Sequence, residues 1–92
     1  MVKKQSLGLR KPEEIPVAGV TLRDLMSART TPEQARSELK SSWGDPGDLL
    51  RDDDEVWCFR TPSWTWGNMS GCQGFVVLRE GLAAHWLVTR MN

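Results

Sequence analysis

The sequence holds no tyrosine, one histidine and two cysteines. It also lacks any apolar run approaching the roughly 18 residues that a membrane-spanning helix needs, so no membrane role is expected. Two cysteines and one histidine, without a Cys-x-x-Cys spacing, fall short of the ligand set of a closed zinc site, and no metal or other cofactor is expected. Net charge is absent too, because twelve basic side chains balance twelve acidic ones. A neutral domain lacks the attraction to phosphate that dominates nucleic-acid binding, so no nucleic-acid partner is expected. With tyrosine missing, aromatic packing falls to five tryptophans and two phenylalanines, each able to bury a large area.

What is present fits one small domain. Ninety-two residues bury only about 60–65% of their unfolded surface, so the core is modest. The charges are unevenly placed. Asp45, Asp48, Asp52, Asp53, Asp54 and Glu55 crowd residues 41–55 against Arg51 alone, whereas from residue 56 onward the one acid is Glu80. The basic opening, Met-Val-Lys-Lys, is followed by no apolar segment and does not read as a secretory leader. A cytoplasmic location is expected, with Cys58 and Cys72 as free thiols.

Residues 1–14 are polar and read as a flexible lead-in to a single domain over 15–92. Ile15 to Val20 is apolar but broken by Pro16 and Gly19, which suits an extended edge segment. Thr21 is an N-cap candidate and Asp24 suits the positive end of a helix. Leu22, Leu25 and Met26 share one face, predicting a short helix over 22–28. Thr31, Pro32 and Gln34 form a stronger start, a capping box with proline at the first helical position. Ala35, Leu39 and Trp43 then continue one stripe until Gly44 and Pro46 end it, predicting a second helix over 32–42. Asp45-Pro46-Gly47-Asp48 is a turn by composition. Asp52, Asp53, Asp54 and Glu55 lack the alternation and glycine of a calcium loop, and read as a solvated turn that guards the next strand edge.

Three β-prone runs come next: Val56 to Phe59, Phe75 to Arg79 and Leu82 to Thr89. Glu80-Gly81 between the last two predicts a tight hairpin, glycine supplying a positive φ. The implied register pairs Arg79 with Leu82, Val77 with Ala84 and Phe75 with Trp86. It puts Phe75, Val77, Leu82, Ala84, Trp86 and Val88 on one face, and Val76, Leu78, Ala83, His85, Leu87 and Thr89 on the other. The expected fold is therefore α+β: two short N-terminal helices followed by a three-stranded antiparallel β-meander. One helical layer covers one sheet face. The other face must meet the N-terminal segment, the 63–73 loop or a second copy of the chain, and a homodimer through it is one expectation.

Chemistry is thinly signalled. Cys72 lies between Gly71 and Gly74, glycines that can expose a nucleophile on a tight turn. It needs a base, and His85 lies apart from it in the implied register, so no catalytic residues are assigned. Gly67 and Gly71 argue against regular structure throughout residues 63–73, with a short helical turn near Asn68 left open; in an extended segment Trp64 and Trp66, two apart, project to one side. With Arg60 and Trp86 they are the candidate binding residues, either an exposed platform for a partner or indoles folded back over the open sheet face.

Thr31-Pro32-Glu33-Gln34, Leu39, Trp43-Gly44-Asp45-Pro46 and Trp57-Cys58-Phe59-Arg60 read in order as helix, Gly-x-Pro turn, acidic loop and aromatic strand. Over residues 31–60 this resembles the helix-plus-β-meander module of small outer-membrane assembly lipoproteins and of the β-lactamase-inhibitor-protein family, although the lipidated cysteine of the former is missing. The resemblance implies a scaffold for protein contacts and carries no catalytic residues across; the carboxy-terminal half resembles small bacterial proteins in general make-up. The leading expectation is a non-enzymatic protein-interaction or accessory module. A small-ligand-binding protein with a Trp-lined pocket between the 63–73 loop and the sheet comes second, and a cysteine-dependent enzyme third.

Overall fold

The computed structural model describes residues 4–42 and 44–92. In chain order its strands are β1 (Lys4–Arg10), β2 (Pro16–Val17), β3 (Val20–Thr21), β4 (Met26–Thr30), β5 (Glu55–Arg60), β6 (Cys72–Arg79) and β7 (Leu82–Met91). The α-helices are α1 (Leu22–Leu25), α2 (Pro32–Ser42) and α3 (Ser63–Gly67). Strands β1, β4, β5, β6 and β7 form one antiparallel sheet in the order β1-β7-β6-β5-β4, and β2 and β3 make a separate small hairpin. This corrects the expected two helices and three-stranded meander: the meander β5-β6-β7 is there, but a further strand flanks it on each side.

The two extra strands were hidden for different reasons. Residues 4–10, expected in a flexible lead-in, pair along β7 as an edge strand. All but Leu7 are exposed, so β1 is held by backbone hydrogen bonds that leave no apolar alternation in the sequence. Residues 26–30, in part assigned to the first helix, pair with β5. Helix α1 is a single turn, its Thr21 N–H donating to Asp24 Oδ2 at 3.0 Å. One turn does not propagate unaided, and the open backbone edge of β5 captures the residues beyond it. Helix α2 agrees with expectation in its bounds. Thr31 Oγ1 accepts the Gln34 N–H at 3.1 Å, and Gly44, at φ 115°, closes the end by donating to Leu39 O. Trp43, expected on the α2 stripe, lies outside the described residues.

The hairpin turns at Glu80 and Gly81, both with positive φ, 53° and 81°, as a two-residue loop of the I′ kind requires. Arg79 pairs with Leu82 as expected, but beyond Leu78 and Ala83 the register departs. Ala84 is an extra residue in β7, so Val77 meets His85, Val76 meets Trp86 and Phe75 meets Leu87. A bulge reverses the face of every residue beyond it. Trp86 and Val88 join Val76, Leu78, Phe59 and Cys72 on one face, while Leu87 joins Phe75, Val77 and Val56 on the other.

Each face has its own cover. Ile15, Leu22 and Leu25 pack on the Trp86 face, and Phe59 and Trp86 meet there with ring centroids 4.1 Å apart. Ala35 and Leu39 of α2, with Leu50, pack on the Phe75 face. The face for which a second copy was one expected cover is thus occupied by residues of the chain's own N-terminal third.

A second bulge, at Thr89 opposite Gln73 and Gly74, brings β7 hard against Gly74. A Cβ at Gly74 would fall within contact distance of Leu87 O and 2.9 Å from Thr89 N, both backbone atoms. Gly74→Ala is expected to destabilise the protein by about 3 kcal/mol or more, since backbone cannot yield as a side chain can; urea unfolding of the two proteins measures it.

Candidate functional site

Strands β5, β6 and β7 give the molecule two ends. At one end lie Arg60, Gln73 and Arg90 with the 61–71 connection; at the other lie Glu55, the Glu80-Gly81 turn and the 51–54 loop.

The 61–71 connection is built on hydroxyls. Thr61 and Thr65 are buried. Thr61 Oγ1 accepts the Cys72 N–H at 2.9 Å, and the Thr65 hydroxyl lies 2.7 Å from it. Ser70 N–H donates to Thr65 O at 2.8 Å, closing the segment after α3. Asn92 pins it from outside, accepting from Gly71 N–H at 2.9 Å and donating from Nδ2 to Trp66 O. These bonds wind residues 63–67 into α3, ending at Asn68, near which the sequence leaves a short helical turn open, and helical geometry, in place of the extended segment that would align them, separates the two tryptophans. Trp66 turns inward. Its ring lies so close to Gly71 that a Cβ there would be 2.6 Å from the indole. The Arg60 guanidinium sits 4.1 Å from the ring centroid, Arg90 is 5.7 Å away, and Arg60 Nη1 donates to Gln73 Oε1 at 2.7 Å. Such stacking favours a cation over an indole. Trp66 is thereby held between Gly71 and the two guanidiniums, and its buried Nε1–H has no acceptor among the described residues.

Trp64 turns outward and is 57% exposed. Met69, at 77%, lies on the same connection, and Met91, at 40%, pairs with Cys72 at the same end. Of the four candidate binding residues, then, Arg60 and Trp66 are in contact, Trp64 stands free beside them, and Trp86 is core on the Trp86–Phe59 face. Sequence reasoning missed Met69, Met91 and Arg90. The two methionines carry no periodic signal, and Arg90 comes into place only through the Thr89 bulge.

The cysteine chemistry finds no geometry. Cys72 packs on the Trp86 face and Cys58 against the opposite cluster, so they do not pair. His85 sits beside Val77, on the face away from Cys72. Burial pushes both thiols above the ordinary cysteine range, Glu38 adding to the effect at Cys58. His85 is shifted the other way, below its ordinary value near 6.5, chiefly by burial and then by the Arg79 charge. Among the described residues no cluster of three potential metal ligands occurs, and no helix is long and apolar enough to cross a membrane.

At the opposite end the acidic loop is not merely a solvated turn. The Asp54 side chain is 2% exposed and pairs with Arg79 through two contacts, Nε–Oδ1 at 2.9 Å and Nη2–Oδ2 at 3.2 Å. Arg79 Nη2 also donates to Asp48 O and Leu49 O, and Asp54 Oδ2 accepts the Arg51 N–H at 2.8 Å. Asp52 pairs outward with Arg36 at 2.9 Å. An open cleft of about 670 Å³ lies between this loop, the hairpin and β1.

Comparison of the chain with protein families, with curated proteins and with solved structures finds no match.

Removing one partner of a buried pair strands the other, at about 3–5 kcal/mol, whereas an exposed pair contributes at most about 1 kcal/mol. Asp54→Ala is therefore expected to destabilise by several kcal/mol and Asp52→Ala by less than about 1, checked by parallel denaturant melts. A raised thiol pKa means little thiolate at neutral pH. Both cysteines are expected to react slowly with iodoacetamide near pH 7 in the native protein and rapidly after unfolding in urea, as mass spectrometry would show.

Proposed function

We propose that this protein is a non-enzymatic protein-contact module that works through the α3 end of its sheet. The observation that carries this reading is Trp64: a large indole, more than half exposed, on a helical turn whose backbone is fixed on both sides by hydrogen bonds. A rigid exposed tryptophan loses little conformational entropy on contact, and tryptophan and arginine lead among the residues that dominate interface energies. Met69 and Met91 enlarge the apolar area, and methionine adapts to irregular partner surfaces. Arg60 and Arg90 beside Trp66 make the rim basic, and no acid occurs between Val56 and Arg79 or after Glu80. The favoured partner is an apolar segment carrying acidic side chains. The resemblance of residues 31–60 to modules built for protein contacts points the same way. A cytoplasmic setting suits two thiols held apart on opposite sheet faces.

Trp64→Ala is expected to change stability by no more than about 0.5 kcal/mol, as for a surface position, and to remove a fluorescence component accessible to iodide. A photo-crosslinker placed at residue 64 is expected to capture a protein that one at the exposed Lys40 does not. A stability loss near the roughly 3–5 kcal/mol of a core aromatic, or equal capture at both positions, would refute the contact role.

A further inference from the structure

The cleft at the hairpin end is shaped by interruptions on both sides of β7, one in its pairing with β6 and one in its pairing with β1. Ala84 bulges from β7, and β1 leaves the ladder between Ser6, paired with His85, and Arg10, paired with Ala83. Gly8 and Leu9 turn there through positive φ, 68° and 56°. Leu9 is not glycine, and this backbone holds it 52% exposed at the cleft wall. Bulges of this kind re-aim side chains and occur often beside binding sites.

The 51–54 loop divides its charges between structure and cleft. Asp52 is taken by Arg36 and Asp54 by Arg79. The side chains of Arg51 and Asp53 line the cleft and make no hydrogen bond or ion pair among the described residues, although they carry opposite charges. His85 and Glu80, also in the lining, are likewise without a side-chain partner. Leu9, Leu82 and Ala84 supply the apolar part. A simple anion would meet the carboxylates of Asp53 and Glu80, and a simple cation would meet Arg51 and Arg79. A molecule carrying both charges satisfies both sets.

We propose that this cleft binds a small zwitterion of the amino-acid or dipeptide class, its carboxylate on the Arg51 and His85 side, its ammonium on Asp53 and Glu80, and an apolar side chain against Leu9 and Leu82. The cleft's size is within the usual range of small-molecule sites. Arginine reads a carboxylate through paired N–H donors, which a lysine in its place would not reproduce. This site is separate from the Trp64 surface and stands without it.

The test is a proton–nitrogen NMR titration of the full chain with free leucine and with leucylleucine, against N-acetyl-leucine amide, which bears neither charge, and acetate, which bears one. Saturable shifts in the millimolar range, confined to residues 6–9, 51–54 and 79–85, are expected for at least one zwitterion and for neither control. Arg51→Gln and Asp53→Asn change exposed side chains, so both are expected to keep the native spectrum while weakening binding by about ten-fold each. Absence of saturable shifts with both zwitterions, equal shifts with either control, or undiminished binding in both variants would overturn the proposal.

Discussion

The pair between Arg79 and Asp54 is the constraint on which the hairpin end of the molecule rests. Asp54 closes the acidic loop by accepting the Arg51 N–H, and Arg79 gathers the carbonyls of Asp48 and Leu49 onto the end of β6. A buried charge without its partner is costly, and four hydrogen bonds to one guanidinium leave little freedom in how the loop is laid down. The consequences reach further than the loop. Leu50 enters the core beside α2 because its neighbours on both sides are fixed, and its carbonyl accepts from Arg36. Arg51 and Asp53 are turned toward the cleft because Asp52 and Asp54 are committed elsewhere.

The sheet itself depends on where the ladder is broken. Without the extra residue at Ala84, Trp86 would share a face with Phe75, and its indole would compete with α2 for the space that Leu39 and Leu87 occupy. With it, Trp86 lies on Phe59 and forms the floor on which Leu22, Leu25 and Ile15 settle. The same break, facing the gap in β1, opens the cleft. One bulge thus serves the packing of both faces and the shape of one end. The second bulge, at Thr89, is possible only because Gly74 has no side chain.

The two ends have different characters because they are built from different materials. The α3 end is tied together by hydroxyls and by the terminal Asn92, uses cations to cover Trp66, and leaves Trp64, Met69 and Met91 at the surface. The hairpin end is tied together by charge, and it leaves a mixed set of ions, unpaired among the described residues, around a hollow. A rigid apolar patch with a basic rim is suited to a macromolecular partner, and a mixed-charge hollow to a small one.

Some of this was legible in the chain. The capping residues around Thr31 and Gly44 determined α2, Glu80-Gly81 determined the turn, and the runs at 56–59, 75–79 and 82–89 determined the central meander, because each of these rests on local backbone chemistry. Strands β1 and β4 were not legible, since their pairing depends on open edges of β7 and β5 supplied from far along the chain. The register beyond Ala83 was not legible either: alternating apolar residues on both faces read equally well with or without a bulge, and only the fit of Trp86 against Phe59 selects one. Nor could the sequence say which of Trp64 and Trp66 would be free. It placed both in one short segment beside Arg60, but the hydroxyl network of Thr61, Thr65 and Ser70 winds that segment into a helix, and helical geometry sends one indole under the guanidinium and the other into solvent.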